Sequence, residues 1–564
     1  MKKIFASILV VATAVSLLSS CSNKQFDELY PDPSKTSTVT CDKMMTGTFI
    51  AGNQNTFNSY WRMYTWDNYF GKLAQTIGFS NNSGTVYYIN DGYANDRWNN
   101  FYDVLRNFRV LEDLYNGEEA ADQAEDKLFL DCAEVFMLDH ATQLVDIWGD
   151  IPFSKACYLG ITGDVSASYA AYDTGEEVYK HALTRLDAIY GELGSLKNSI
   201  SSTTASKLVA QDFINDGDIE KWQRYCNTLM LRLGVHVAAQ GSLTSEGKSA
   251  VSTAAGRLLV SDLDNTIEVA SDDDGFHYDE NFRDGFKDIN NTANQKMIDA
   301  MQITGVDDPR LQVIYVPTKS AYAPKADADP DEKAIDTAYG AGEYFGRSTS
   351  ETDDQQNVRS GGNHNTEATR YYARLNGRTF TYNNFMVSPI ISAAEAWFLL
   401  AEAYQQGYAN GSAETAFKNG VEMSIKAYYK SNINSVDTGR ASISVDQAAD
   451  FQAEEYPADA DIAAYAQNVW NAYSNKLEGI MTQKWLHFGI MQATQAWTDI
   501  RRTGYPALYY PKDGADNNGY PTVTQRVKYP NTEYANNAEN YAAAAANCDK
   551  DSAYSVLFWA KKVE

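Results

Sequence analysis

The chain has 564 residues, of which 74 are acidic and 47 are basic, so its formal net charge at neutral pH is −27. This balance argues against a nucleic-acid partner, because nucleic-acid binding needs a basic surface. It also argues against a polybasic attachment to anionic lipid, and we interpret the acidic excess as a solubilising surface charge.

The N-terminus predicts export. Two lysines follow Met1, and an apolar run of about 15 residues extends from Ile4 to Leu18. This run is shorter than the roughly 20 residues that a membrane-spanning helix needs. A basic start followed by a short apolar stretch is typical of a secretory signal peptide.

The signal ends in a segment, Leu18-Ser19-Ser20-Cys21, that resembles a bacterial lipobox. The resemblance implies cleavage before Cys21 and lipidation of its sulfur, and several acyl chains on one residue give firm membrane anchoring. We therefore expect a signal peptide over 1–20, a lipidated tether over 21–40 and a single domain over 41–564.

Helical periodicity dominates the first part of that domain, about 41–260. Apolar residues recur at spacings of three and four, which is typical of a helix with one buried face. Thr174, followed three residues later by Glu177, fits a capping box at a helix start. The predicted helices are 64–77, 98–114, 127–147, one that begins at Thr174, and 219–239.

The central part, about 261–389, has a different character. It is polar and rich in Gly and Asp, with little helical period. We expect loops and short strands around one helix near 295–302.

Helices resume from residue 392 and are predicted up to 504. Gly504 and Pro506 form a common C-terminal stop signal, and the region 505–564 is predicted to be loop-like. The helices form pairs whose length is similar to tetratricopeptide units. The predicted helices of this part are 392–404, 413–430, 461–475 and 477–502.

Six short segments follow one another in the order of a known family. Each is unspecific alone, but together they cover nearly the whole mature chain behind the lipobox. The segments are DIWGDIPF (146–153), DIEKW with NTLMLR (218–232), DPRL (308–311), AEAWFLLAEA (394–403), QAWTDIRRTGYP (495–506) and RVKYP (526–530). With them the chain resembles the SusD/RagB family, the surface lipoproteins that serve nutrient uptake in Bacteroidetes.

Two features depart from the family pattern. Gln495 stands where the family often has an acidic residue, and an acidic insert covers about 327–354. The sequence assigns no role to this insert.

The resemblance implies a mostly α-helical fold, an α-superhelix of tetratricopeptide-like helix pairs with a loop-rich ligand-binding region. It implies a non-enzymatic protein that faces the extracellular side of the outer membrane. There it would act as the lid of a SusC-type TonB-dependent transporter and hold a glycan, or in some cases a peptide.

The first candidate binding site is an aromatic loop before the second predicted helix. It contains Tyr87, Tyr88, Asn90 and Tyr93. Aromatic faces stack on the apolar faces of sugars, while Asn and Asp side chains bond hydroxyl groups. The resemblance supports this loop, because family members place ligand-stacking aromatic residues in the corresponding early loop.

The second candidate site lies in the central loop region. It contains Tyr278, flanked by Phe276 and Phe282, and further on Tyr344 beside Phe345. Loops on a rigid scaffold often carry function, and we include Tyr278 and Tyr344 as candidate ligand contacts.

Two acidic runs could gather oxygens for Ca²⁺. They are the aspartates at 272–274 and the run from Asp513 to Gly519. Neither has the EF-hand spacing, and solvated acid clusters are commoner than calcium sites, so no metal ligand is assigned.

Two other functions remain open on the sequence. An all-helical glycoside hydrolase needs two carboxylates at a defined separation, and 74 acidic residues supply many such pairs without specificity. A tetratricopeptide-like scaffold would bind protein alone and show no affinity for small ligands.

Overall fold

The computed structural model describes residues 39–79, 86–269, 285, 292–318, 343–352, 356, 372–380, 383, 386–435, 454–514 and 519–563. Cys21, Tyr278 and the aspartates at 272–274 lie outside the described residues. Within the described ranges, every helix is too short or too polar to cross a membrane.

The described part of the chain is mostly α-helical, as the sequence predicts. A π-helix, Arg62–Asp67, leads directly into the third α-helix. In chain order the α-helices are α1 (Cys41–Ala51), α2 (Asn53–Thr56), α3 (Asn68–Leu73), α4 (Asp91–Asn116), α5 (Ala120–Trp148), α6 (Leu159–Thr162), α7 (Gly175–Leu196), α8 (Ser202–Gln211), α9 (Ile219–Ala238), α10 (Thr244–Ala254), α11 (Gln295–Met301), α12 (Leu311–Ile314), α13 (Ala393–Gln405), α14 (Ala413–Asn434), α15 (Asp459–Ala472), α16 (Lys476–Phe488), α17 (Ala493–Thr503), α18 (Asn531–Asn536) and α19 (Ala538–Asn547).

The start of α7 shows how local sequence sets a helix boundary. The hydroxyl of Thr174 accepts a hydrogen bond from the Glu177 backbone N–H at 3.2 Å, and the Glu177 carboxylate accepts one from the Thr174 N–H at 2.8 Å. These two bonds satisfy donors that have no partner inside the helix. The predicted capping box is confirmed.

Neighbouring helices pack in pairs and build an α-superhelix of tetratricopeptide-like units. α4 packs on α5, α9 on both α7 and α10, and α13 on α14. α9 also contacts α13 across the central region, and α17 contacts α3 near the start of the chain. A continuous hydrophobic core runs between these helices, from Cys41 to Trp559.

Short antiparallel strand pairs brace the loops between the helices. β1 (Ile151–Pro152) pairs with β2 (Tyr172–Asp173), β3 (Ile267–Val269) with β6 (Ser388–Ile391), and β4 (Tyr315–Val316) with β5 (Arg374–Leu375). The register of the second pair places Ile267 opposite Ile391, with an irregularity after Ile267. The predicted short strands are present in the described part of the central region, but that part contains two α-helices, α11 and α12, where one was expected.

A buried ion pair joins the two halves of the helical scaffold. Arg232 of α9 donates to both carboxylate oxygens of Glu395 in α13, at 2.6 and 2.8 Å, and to Asp139 of α5 at 3.3 Å. All three side chains are buried. Charges taken out of water need such partners, so this triad fixes α5, α9 and α13 relative to one another.

The structure corrects two predictions near the C-terminus. The helix predicted over 477–502 is two helices, α16 and α17, because Gly489 adopts φ 48° and ends the first. The region 505–564 is not uniformly loop-like, since it contains α18 and α19. The second of these is rich in alanine, the residue with the highest helix propensity, and that signal was available in the sequence.

Candidate ligand-binding site

The loop that precedes α4 is held in place by the C-terminal region of the chain. A carboxylate oxygen of Asp513 accepts a hydrogen bond from the Val86 backbone N–H at 3.0 Å. The hydroxyl of Tyr87 donates to the Pro511 carbonyl oxygen at 2.5 Å. Residues more than 400 positions apart in the sequence therefore position the first predicted site.

Tyr87 does not present its ring to solvent. Its side chain is only 1% exposed and belongs to the hydrophobic core. Burial raises the pKa of its hydroxyl group, since the phenolate would lose its hydration. This burial argues against Tyr87 as a ligand contact: Val86, Tyr87 and Ile89 face inward, whereas Tyr88 is half-buried.

Tyr93 lies in the first turn of α4, where its half-buried ring meets two aromatic residues from the segment before α3. Its centroid is 5.0 Å from that of Trp61, at an interplanar angle of 87°, and 6.4 Å from that of Tyr64, at 75°. Such edge-to-face contacts are favourable because a positive ring edge meets a negative ring face. They fix the orientation of Tyr93.

Further rings extend this group along the surface. Tyr60 stacks on Tyr64 with centroids 5.3 Å apart, and Tyr88 lies 6.4 Å from Tyr520. The pKa of Tyr93 is raised, mainly by burial and then by the neighbouring Tyr64 and Tyr88. All members are half-buried. We call this group the aromatic cluster; its members are Tyr60, Trp61, Tyr64, Tyr88, Tyr93 and Tyr520.

Polar side chains lie at the same end of α4. Asn90, a predicted ligand contact, is exposed and caps the helix, and its side-chain oxygen accepts a hydrogen bond from the Gly92 N–H at 2.8 Å. Asp91 accepts from the Asn531 amide at 3.0 Å. The pKa of Tyr520 is raised to about 12, mainly by burial and then by Asp91, which places this carboxylate beside the aromatic cluster.

The members of the second predicted site do not join the aromatic cluster in the part of the chain that the structure describes. Tyr344 is half-buried, and its pKa is raised to about 12 by burial and then by the neighbouring Asp307, Glu454 and Tyr429. Its partner in the prediction, Tyr278, lies outside the described residues. Phe345 is 6% exposed and stacks on Tyr372, so it is a core residue.

Asp513, which begins the second acidic run considered for Ca²⁺, holds the loop before α4 in this structure. Asp513 is buried, and one of its oxygens is taken by the Val86 N–H. Residues 515–518 of the same run lie outside the described residues.

Four members of the aromatic cluster were not recognised in the sequence. Tyr60 and Trp61 precede the helix predicted over 64–77 and Tyr64 begins it, and the spacing of four between Tyr60 and Tyr64 places these two on one helix face. Tyr520 lies more than 400 residues away from Tyr93 in sequence, and only the folded chain brings the two regions together.

The arrangement suits binding by stacking. Half-buried rings supply flat apolar surface with polar edges, and the amide and carboxylate groups around Asn90 and Asp91 supply acceptors and donors. Sugars combine apolar faces with hydroxyl groups and match both kinds of contact.

Comparison with known proteins gives a family match over most of the chain. A family model described as "SusD-like_2: Starch-binding associating with outer membrane" matches residues 33–530. No curated protein matches the chain.

Solved structures match over nearly the whole chain. A protein named "chitin-binding protein" is 21% identical, with a TM-score of 0.68, and the match covers 93% of this chain and 100% of that one. A SusD homolog from Parabacteroides distasonis is 18% identical, with a TM-score of 0.66 and coverage of 93% and 98%. A SusD-like protein from Bacteroides thetaiotaomicron is 20% identical, with a TM-score of 0.60 and coverage of 92% and 99%. At these identities the similarity establishes the fold.

Proposed function

Because the chain belongs to the SusD-like family, we propose that it is a nutrient-binding lipoprotein of the outer membrane that captures a glycan. The aromatic cluster is the observation that carries this proposal. Its rings come from three separate parts of the chain and are oriented by one another, so the stacking surface is formed before the ligand arrives. Preorganisation of this kind lowers the entropic cost of binding.

The chemistry of the site favours an oligosaccharide as the ligand. Stacking rings beside exposed amide and carboxylate groups match the alternating apolar faces and hydroxyl groups of an oligosaccharide. The net charge of −27 disfavours polyanionic glycans and leaves neutral or amino sugars as the better match. The family description names starch, and one similar structure is named a chitin-binding protein, so these two polymers are the first to test.

We further propose where the protein lies in the cell and which protein it binds. Lipidation of Cys21 would anchor the mature chain in the outer membrane, with the aromatic cluster on the extracellular side. The partner is a SusC-type TonB-dependent transporter, on which the protein would act as a lid. The lipobox-like segment and the family membership support both statements.

One experiment distinguishes a binding protein from an enzyme that breaks its ligand down. Calorimetry of the mature chain without its lipid, residues 22–564, would be run against starch, chitin oligosaccharides, other neutral glycans and peptides. Each mixture would then be analysed by chromatography for breakdown products. Binding without breakdown is expected. Release of shorter sugars would favour the glycoside hydrolase, and absence of binding to every glycan and peptide would favour the scaffold.

A further inference from the structure

A polar cavity of about 60 Å³ lies beneath the aromatic cluster. Arg97 follows Tyr93 by one turn on the same face of α4, and whereas Tyr93 is half-buried, Arg97 is only 2% exposed. The π-helix contributes Arg62 and Asp67 to the lining, and α5 contributes His140.

The guanidinium group of Arg97 has hydrogen-bond donors without acceptors. Among the described residues, neither of its terminal nitrogens has a hydrogen-bond partner. Its pKa is lowered to about 9 by burial and then by the nearby charge of Arg62. A buried charge without a partner is costly, and native proteins normally satisfy it.

The two acidic residues that line the cavity, Asp67 and Asp139, interact with groups other than Arg97. Asp67 forms an ion pair with Arg62, whose Nε lies 3.1 Å from a carboxylate oxygen. Asp139 accepts hydrogen bonds from the Tyr225 hydroxyl at 2.6 Å and the Gln143 amide at 2.8 Å, and it contacts Arg232. Neither carboxylate accepts a hydrogen bond from the terminal nitrogens of Arg97, so these donors are left facing the cavity that Arg97 lines.

His140 adds a second group with spare hydrogen-bonding capacity. Its Nε2 lies 3.0 Å from the hydroxyl of Thr56, and its Nδ1 has no partner among the described residues. Burial, and then the charge of Arg97, lower the pKa of His140 well below its usual range, so the ring is neutral. When the Thr56 hydroxyl donates to Nε2, the proton of the neutral ring is on Nδ1, which becomes a donor beside Arg97.

We propose that this cavity is a binding site for a small inorganic monoanion of the size of chloride, held by the guanidinium of Arg97 and the Nδ1–H of His140. One water needs about 10–15 Å³ of accessible space, so the cavity has room for a halide and accompanying waters. The anion would join α4 to α5 directly below the aromatic cluster. This site is independent of the glycan site and would exist without a glycan.

Bromide provides a direct test, because it replaces chloride and is identified by anomalous scattering. Crystals of the complete mature chain without its lipid, grown in bromide and without chloride, are expected to show an anomalous peak within hydrogen-bond distance of Arg97. Well-defined density at Arg97 without such a peak, or peaks confined to the protein surface, would overturn the proposal.

A solution experiment supplies a matched control. At constant ionic strength, replacing gluconate by chloride is expected to raise the melting temperature by about 1 °C for each tenfold increase in chloride above half-saturation. Arg97→Met should abolish this rise, whereas Arg106→Met, which changes an exposed arginine of the same helix, should retain it. Equal rises in all three proteins would contradict the proposal, and if Arg97→Met fails to fold the bromide experiment decides.

Discussion

Glu402 and Arg502 form a buried bidentate ion pair in which both terminal nitrogens of the guanidinium donate to the carboxylate, at 2.5 and 2.8 Å. Arg502 also donates to Asp499, which pairs with Lys484 at 2.9 Å. The network joins α13, α16 and α17. Glu402, Asp499 and Arg502 belong to segments that resemble the SusD/RagB family, and their roles here are structural.

Removing the carboxylate of Glu402 should destabilise the protein strongly. Glu402→Ala removes one of the two carboxylates that pair with the buried guanidinium of Arg502, and breaking a buried pair typically costs about 3–5 kcal/mol of unfolding free energy. Urea denaturation measures the loss. Glu414→Ala, which removes a surface pair with Lys418, serves as the control and should leave the unfolding free energy unchanged. Equal effects of the two changes would contradict the structural role.

Tyr87 should matter for stability and not for ligand binding. Tyr87→Phe removes one buried hydrogen bond, to the Pro511 carbonyl, and is expected to lower the unfolding free energy by about 1 kcal/mol. Affinity for the glycan should stay the same, because the ring and its packing remain. A marked loss of affinity with normal stability would return Tyr87 to the binding site.

Cys21→Ala should release the protein from the membrane. The variant has no thiol for lipid attachment at that position, so it should appear in the soluble fraction and incorporate no labelled fatty acid. Cys548→Ala, at a half-buried cysteine of the folded domain, is the control and should remain in the membrane fraction. Membrane retention of the Cys21 variant would refute the lipoprotein interpretation.

Because of Asp67, the free energy of unfolding should fall as the pH rises towards neutrality. Burial raises its pKa from 3.8 to about 7, against the opposing effect of Arg62. The folded protein therefore binds this proton more tightly than the unfolded chain does. The resulting stabilisation is complete below about pH 4 and is lost as the pH passes through 7.

Asp67→Asn should reduce that pH dependence between pH 4 and 7. The upper limit of the effect is on the order of 4 kcal/mol, at about 1.4 kcal/mol for each pH unit. Urea denaturation across this range measures it, and Asp103→Asn at an exposed position should match the parent. Because the pKa of buried Asp146 is also raised to about 7, part of the dependence should persist. If the unfolding free energy of Asp67→Asn depends on pH as steeply as that of the parent, the pKa of Asp67 is not raised as described.

Local signals in the sequence were sufficient for most of the helical scaffold. The period of apolar residues located α4, α5 and α9, and the Thr174–Glu177 pair located the start of α7 to the residue. These signals depend on neighbours within one or two helical turns. The break at Gly489 was missed because apolar spacing continues on both sides of it. There the hydroxyl of Tyr428 lies only 2.8 Å from where a Cβ at 489 would be, which favours glycine.

The candidate site could be predicted only in part. Tyr88 and Tyr93 lie in the aromatic cluster as half-buried rings, but the buried side of the loop, where Tyr87 lies, is set by Pro511 and Asp513. Tyr520 enters the cluster through a contact across more than 400 residues. No local pattern encodes such contacts, because they depend on how the C-terminal region packs on α4.

The most direct test of the aromatic cluster is a calorimetric titration with a glycan that the parent protein binds. The glycan is titrated into the parent protein and into the Tyr64→Ala/Tyr93→Ala variant. Each ring is expected to contribute on the order of 1 kcal/mol or more, so the double change should weaken binding at least tenfold while circular dichroism and melting remain those of a folded protein. Unchanged affinity in the folded double variant would show that the glycan binds elsewhere, and it would contradict the assignment of this cluster as the ligand-binding site.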